Sequence, residues 1–256
     1  MEGPSLIIIK EQLAFLKGRT ITDANGVAKI DMQRLKNKRV KKILSFGKHF
    51  LIQLKDCTIR IHFLMFGSYR INERKDLKVR LSLVFDTDEV NFYSCAVTLL
   101  EEDPEDIYDW SIDVMSDAWD EKKVRRILKR NQAMNVGDAL LDQEIFAGVG
   151  NIIKNEVLYR TGIHPENTIN ELPPRKLTEL IREARNYSFD FYRWRKVYQL
   201  SKNYKIYKRK KCKQCGGATK LEYTGRIPRR TFYCDQCQVL YKIKSGHRNR
   251  HPDLST

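Results

Sequence analysis

Four cysteines constrain this chain more than any other feature. Cys212-x2-Cys215 and Cys234-x2-Cys237 are separated by 18 residues. Each pair can wrap a metal from a tight knuckle, and four thiolates complete a tetrahedron. The spacing therefore predicts a structural Zn2+ site with no coordination position left for water. Gly216 and Gly217 supply the turn that the first knuckle needs. Two disulfides or four unrelated thiols are the competing readings. No run of 18 or more apolar residues and no secretory pattern is found, so a reducing, cytoplasmic setting (nucleoid-associated in a bacterium) is expected. There, paired cysteines bind metal more often than they form disulfides. Cys57 and Cys95 fall in apolar, strand-like runs and read as buried hydrophobes. Between the knuckles, GRIPRRTFYC and its β-prone arms predict a hairpin that presents arginines to phosphates. Zinc ribbons of this kind also occur in ribosomal and transcription proteins, so the module by itself indicates nucleic acid and nothing narrower.

The charge distribution agrees. The formal charge is +16, but residues 196–256 hold 16 Lys/Arg against Glu222, Asp235 and Asp253, leaving +3 for the preceding 195 residues. Concentration of charge in one quarter of the chain points to a polyanion surface rather than to general solubility. Tyr198, Tyr204, Tyr207, Tyr223, Phe232 and Tyr233 are interleaved with it. No amphipathic helix with a wide apolar face accompanies the charge, so nucleic acid fits better than a membrane.

With 256 residues the chain is long enough for two modest domains. Leu6, Ile9, Leu13 and Leu16 recur at helical spacing and predict a helix from just after Pro4 to Gly18. The period then changes. FLIQL (50–54), TIRIHFLM (58–65), VRLSLVF (79–85) and NFYSCAVTLL (91–100) read as strands of a β-sandwich or barrel. Lys55-Asp56 and Asp86-Thr87-Asp88-Glu89 mark turns between them. EEDPEDIYDW (101–110) reads as a connector. Helices are expected over 121–130, 138–146, 151–160 and 174–194, the last burying Leu177, Leu180, Ile181, Ala184, Tyr187 and Phe191. A basic linker (202–211) leads to the cysteine module. Just before the third of these helices, Gly-Val-Gly-Asn (148–151) suggests a backbone able to approach a ligand closely. The helix N-terminus that follows would offer N–H groups to an anion. A plain interhelical turn with an Asn cap explains the same residues.

Taken together, Glu2-Gly3-Pro4, Gly47-Lys48 before a strand, LLDQEIFAGVGNIIKNEVLYRTGIHP and the finger ending RRTFYCDQCQ resemble the formamidopyrimidine-DNA glycosylase / endonuclease VIII family, in that family's order over nearly the whole chain. Glu-Gly-Pro is similar to the endonuclease VIII branch and its oxidised pyrimidines. The resemblance implies an α+β fold: an N-terminal β-sandwich with a leading helix, then a C-terminal helix–two-turn–helix domain and a four-cysteine zinc finger. It implies boundaries of 1–110, 111–205 and 206–245, with a basic tail at 246–256. It also implies a base-excision enzyme that binds damaged double-stranded DNA, flips out the lesion, and removes it as a glycosylase and abasic-site lyase; a monomer is the default expectation.

In the family, an N-terminal α-amine attacks the sugar. An α-amine titrates near ~8 and a lysine near ~10.4, so the former is the better neutral nucleophile. Carried over, Glu2 matches the acid/base carboxylate, Lys48 the hairpin lysine that assists catalysis, and Arg229 the finger arginine near the lesion, with Arg230 beside it. Asn151 matches the phosphate-binding asparagine, and Leu64, Met65 and Phe66 the wedge that fills the vacated stack. The family pattern starts Met-Pro-Glu-Gly-Pro. Here Met1 precedes Glu2 directly, so the resemblance puts Met1 in the place of the proline nucleophile. Ser5 stands where the endonuclease VIII branch typically has glutamate. A damage-binding protein that lost its nucleophile is the rival from another class, and an RNA-associated zinc-ribbon protein a remoter one.

Overall fold

Alternating apolar residues in the first hundred positions close into two facing sheets. This is seen in a computed structural model that describes residues 1–241. The chain opens with α1 (Gly3–Gln12), followed by β1 (Asp23–Asn25), β2 (Lys42–Phe46), β3 (His49–Gln53), β4 (Thr58–His62), β5 (Ser68–Ile71), β6 (Leu81–Val84), β7 (Glu89–Tyr93) and β8 (Ala96–Leu100). The antiparallel sheets run β2-β3-β4-β8 and β1-β6-β7-β5. Between them Phe50, Ile61, Phe63, Leu83 and Phe92 are buried, together with Leu6, Ile9, Leu13 and Leu16 from the leading segment.

Several expectations need correction. The helix begins at Gly3, not after Pro4, because proline suits the first turn, where its missing N–H is not needed. It ends at Gln12, and Leu16 reaches the core from a short 3₁₀ turn. The run 91–100 is two strands, in different sheets, broken at Ser94 with φ +49. Cys57 and Cys95 are buried as expected, but at strand boundaries rather than within strands. Apolar alternation does not reveal strands β1, β2 and β5; β1 has three residues, and β5 is an edge strand with little buried surface to leave an apolar signature.

The connector contains α2 (Pro104–Ile107), capped by Asp103, and leads into α3 (Glu121–Arg130), α4 (Val136–Leu141), α5 (Asn151–Thr161) and α6 (Pro174–Lys196). Asp120 caps α3 and Asn135 caps α4 through side-chain oxygens that accept the first free N–H groups. The helix expected over 138–146 stops at Leu141, and residues 142–150 form the tight turns between α4 and α5. All six residues expected to line α6 are buried in the second core. The finger hairpin pairs β9 (Lys220–Thr224) with β10 (Arg229–Tyr233) over a small core of Tyr159, Ile206, Cys212, Phe232 and Cys234. The end of the finger at 245 and the tail 246–256 lie outside the described residues. Among those described, no helix is long and apolar enough to cross a membrane.

Candidate active site

Three glycines bring distant segments of backbone together. The Gly3 N–H donates to the Gly148 carbonyl at 2.8 Å. A Cβ on Gly3 would lie 2.8 Å from the Gly148 Cα and 3.0 Å from the Gly47 carbonyl oxygen. Gly47, at φ +53, turns β2 into β3 and so carries Lys48 to the same point. Gly148, at φ +99, belongs to the turns before α5. Side chains at this junction would force the start of the chain, the Lys48 turn and the helical domain apart.

Glu2 projects from the junction onto the N-terminus of α5, where its carboxylate accepts the N–H groups of Ile152 (2.7 Å) and Ile153 (3.2 Å). The expected anion site at this helix end is therefore filled by the protein's own carboxylate, which is where a helix dipole favours negative charge. Burial nonetheless pushes the Glu2 carboxyl above its ordinary range, with the two N–H donors and Lys48 opposing. Burial also pulls the Met1 α-amine down, Glu2 opposing and Lys48 and Arg195 adding to the fall. It lowers the Lys48 amine as well, against Glu2 and with Arg229. Met1, Glu2 and Lys48 thus feel one another's charge, and Lys48 also feels that of Arg229, although these residues come from separate parts of the chain. A carboxyl held up and two amines held down are poised for proton transfer and nucleophilic attack.

The Met1 amine donates to the Leu64 carbonyl at 2.8 Å, which ties it to the 64–66 loop. Leu64, Met65 and Phe66 are 50%, 77% and 81% exposed, so they are not core residues, and three large apolar side chains on one loop form a surface that water does not favour. The Asn151 side-chain amide donates to the Arg230 carbonyl at 2.9 Å, fastening the finger hairpin to α5. Asn155 accepts the Phe232 N–H at 2.6 Å, and the buried Lys154 donates to the Thr231 hydroxyl at 2.8 Å. Glu156 accepts N–H groups of Lys205, Ile206 and Tyr207. One helix end therefore orients Glu2, the finger arginines and the linker.

Sequence reasoning passes over Lys154, Asn155 and Glu156, although three consecutive polar residues on an otherwise apolar helix are a usable signal. It also passes over His62, whose pKa is lowered by burial and by the nearby Met1 amine and Lys48. Tyr204 and Tyr207, whose rings lie 5.3 Å apart in the linker, both sense the Glu2 charge.

Gly150 leaves no room for a side chain, since a Cβ there would collide with Glu2. Gly150→Ala is expected to lower the catalytic rate by at least about 10-fold through displacement of that carboxylate. Duplex affinity should hold, as read by single-turnover kinetics beside anisotropy.

The four finger thiols form a candidate metal centre. Cys212 and Cys237 Sγ atoms lie 3.6 Å apart, as do those of Cys215 and Cys234, and all four fall within 4.8 Å of one another. No cysteine among the described residues is in a disulfide. Thiolates at about 2.3 Å from one zinc ion would sit close to these separations.

Comparison with known proteins bears on the family and the fold. Residues 2–96 match the Formamidopyrimidine-DNA glycosylase N-terminal domain, and residues 111–187 the Formamidopyrimidine-DNA glycosylase H2TH domain. The chain is 31% identical to Endonuclease 8-like 3 of Xenopus laevis over 241 residues, 89% of this chain but 39% of that protein. It thus spans about two-fifths of the length of this relative. It is 26% identical to Endonuclease 8 2 of Mycobacterium tuberculosis (strain CDC 1551 / Oshkosh), covering 87% of this chain and 93% of the other. A viral DNA glycosylase has the same fold, with a TM-score of 0.81 at 22% identity over 93% of this chain and all of that one. So has Lactococcus lactis formamidopyrimidine-DNA glycosylase non-covalently bound to DNA containing an abasic site, with a TM-score of 0.82 at 20% identity over 93% and 99% of the two chains.

Proposed function

This chain belongs to the formamidopyrimidine-DNA glycosylase family, and from that membership we propose a bifunctional DNA glycosylase and abasic-site lyase of base-excision repair. Its substrate would be damaged double-stranded DNA carrying oxidised bases, pyrimidines favoured, and it would act as a monomer. The observation that carries this reading is the shared environment of one α-amine, one carboxyl and one lysine, all half-buried, at the glycine junction.

In this reading the Met1 nitrogen adds to the sugar C1′ as the bond to the damaged base breaks, and the base leaves with that electron pair. The amine gives up a proton, the ring opens and an imine links protein and sugar. Loss of a C2′ proton then drives β-elimination at C3′, and Arg229 would assist a following δ-elimination. Glu2 is the proton shuttle, and Lys48 supplies positive charge beside the reacting sugar. A lowered amine pKa leaves more neutral nucleophile near pH 7 than an ordinary terminus has. Arg229 and Arg230 would grip phosphate, Asn151 would hold the finger and meet the backbone, and Leu64, Met65 and Phe66 would occupy the space of the flipped nucleotide. The four cysteines would hold a structural Zn2+.

Borohydride trapping on a duplex with an abasic site, followed by mass mapping, tests this reading. We expect an adduct on the Met1 nitrogen, forming faster as pH rises through the amine's lowered pKa. Absence of any adduct alongside tight binding to the same duplex would sink the enzyme reading. Because the family's proline is absent, that result would favour a protein that recognises damage without cutting it.

A further inference from the structure

Asp113 lies just past the connector, between it and α3, remote in sequence from every residue assigned so far. It is 3% exposed. Its Oδ2 accepts the Gly47 N–H at 2.8 Å and its Oδ1 accepts the Met115 N–H at 2.8 Å. Its backbone pairs in parallel with Ala147; the Ala147 N–H donates to Ile112 and the Val114 N–H to Ala147. One carboxylate thus joins the turn that carries Lys48 to the strand-like pairing beside Gly148. Arg185 on α6 and Lys10 on α1 are near enough to favour its charge, yet among the described residues neither forms an ion pair with it. Burial pushes its carboxyl up to about 6, against the pull of the two N–H donors. A carboxylate without a cation partner is costly to bury, and the two N–H groups it accepts are what offset that cost here.

We infer that Asp113 is the positioning residue for Lys48. By holding the Gly47 amide it fixes the left-handed turn that points Lys48 at the sugar, while its backbone holds that turn against the loop before α5. The inference rests on the reading of Lys48 as a catalytic group. An asparagine here cannot repeat the clamp: whichever way the amide faces, its NH2 meets either the Gly47 or the Met115 N–H.

Asp113→Asn is expected to slow single-turnover base removal about 10- to 100-fold. Affinity for a duplex bearing a tetrahydrofuran abasic analogue should move by less than about twofold. Introduced into Lys48→Ala protein, the same substitution should cost less than about twofold, because its route to the chemistry is already gone. An equal cost in both backgrounds, or a parallel loss of affinity, would overturn the assignment. A direct measurement covers an Asn variant that does not fold: in the wild-type chain at pH 7, the Gly47 amide should exchange far more slowly than amides of exposed turns. Rapid exchange at Gly47 would reject the clamp. If wild-type protein shows no catalysis, the proposed function fails on its own, while the exchange of Gly47 still decides whether Asp113 holds the turn.

Discussion

Replacing Glu2 by Gln is expected to lower base removal by about 100- to 10,000-fold without weakening the fold. The rate loss follows from the removal of a proton shuttle beside the amine and the sugar, where general acid–base catalysis contributes at this scale. The stability expectation follows from linkage. Burial raises the folded-state pKa of Glu2, so its favourable contribution is present below the unfolded carboxyl pKa and is lost as pH rises through the folded value. At pH 7 the carboxyl therefore contributes less stability than at pH 5, and a neutral amide of the same shape does not share that loss. Gln also retains one oxygen for the Ile152 N–H, while its NH2 then faces the longer Ile153 contact at 3.2 Å, which offsets only part of that gain. Thermal melting of both proteins at pH 7 and pH 5 should show the variant gaining on the wild type at the higher pH, while single-turnover kinetics show the loss of rate. A melting point and a rate that fell together would mean that Glu2 is a structural cap of α5 and no more.

Stripping the metal should act through binding. The hairpin of β9 and β10 has five residues per strand and rests on few buried side chains, two of them cysteines of the candidate metal centre. Isolated two-stranded hairpins are marginal in water, whereas a structural zinc can contribute on the order of 10 kcal/mol to folding. Without it, Arg229 and Arg230 lose the strand that aims them. Cys234→Ser combined with Cys237→Ser is expected to abolish binding of one zinc per chain and to weaken affinity for an abasic duplex by at least about 100-fold. Native mass spectrometry and fluorescence anisotropy at fixed salt would read the two effects. Metal-free protein that bound duplex as tightly as before would show that the finger is dispensable for recognition.

Much of this architecture is legible in the sequence. Strong periodicity finds α3, α5 and α6, and cysteine spacing finds the cluster of four thiols, because each signal is local and repeated. The short strands β1 and β5 are not legible, since few of their residues are buried. Residues 91–100 read as one strand because the signal of apolar alternation continues across Ser94, whose left-handed backbone sends the chain to the other sheet. At the candidate site, motifs nominate Glu2 and Lys48 but not their company. The contact of Glu2 with Ile152 spans 150 positions, and that of Asp113 with Gly47 spans 66. Neither leaves a periodic trace. The use of Asn151 on Arg230 is equally hidden, because an asparagine at a helix start looks the same whether it faces a phosphate or a neighbouring carbonyl.

The glycine junction also sets an order of events during synthesis. Residues 3, 47 and 148 meet there, so the amine, the carboxyl and the lysine remain unassembled until the chain has been made past residue 153, whose N–H completes the seat of Glu2. The sheets can pair earlier, since their contacts lie within the first hundred positions. A nascent chain would thus hold its paired sheets with the Met1 amine, Glu2 and Lys48 still apart, and the junction would close only once the helical domain had been made.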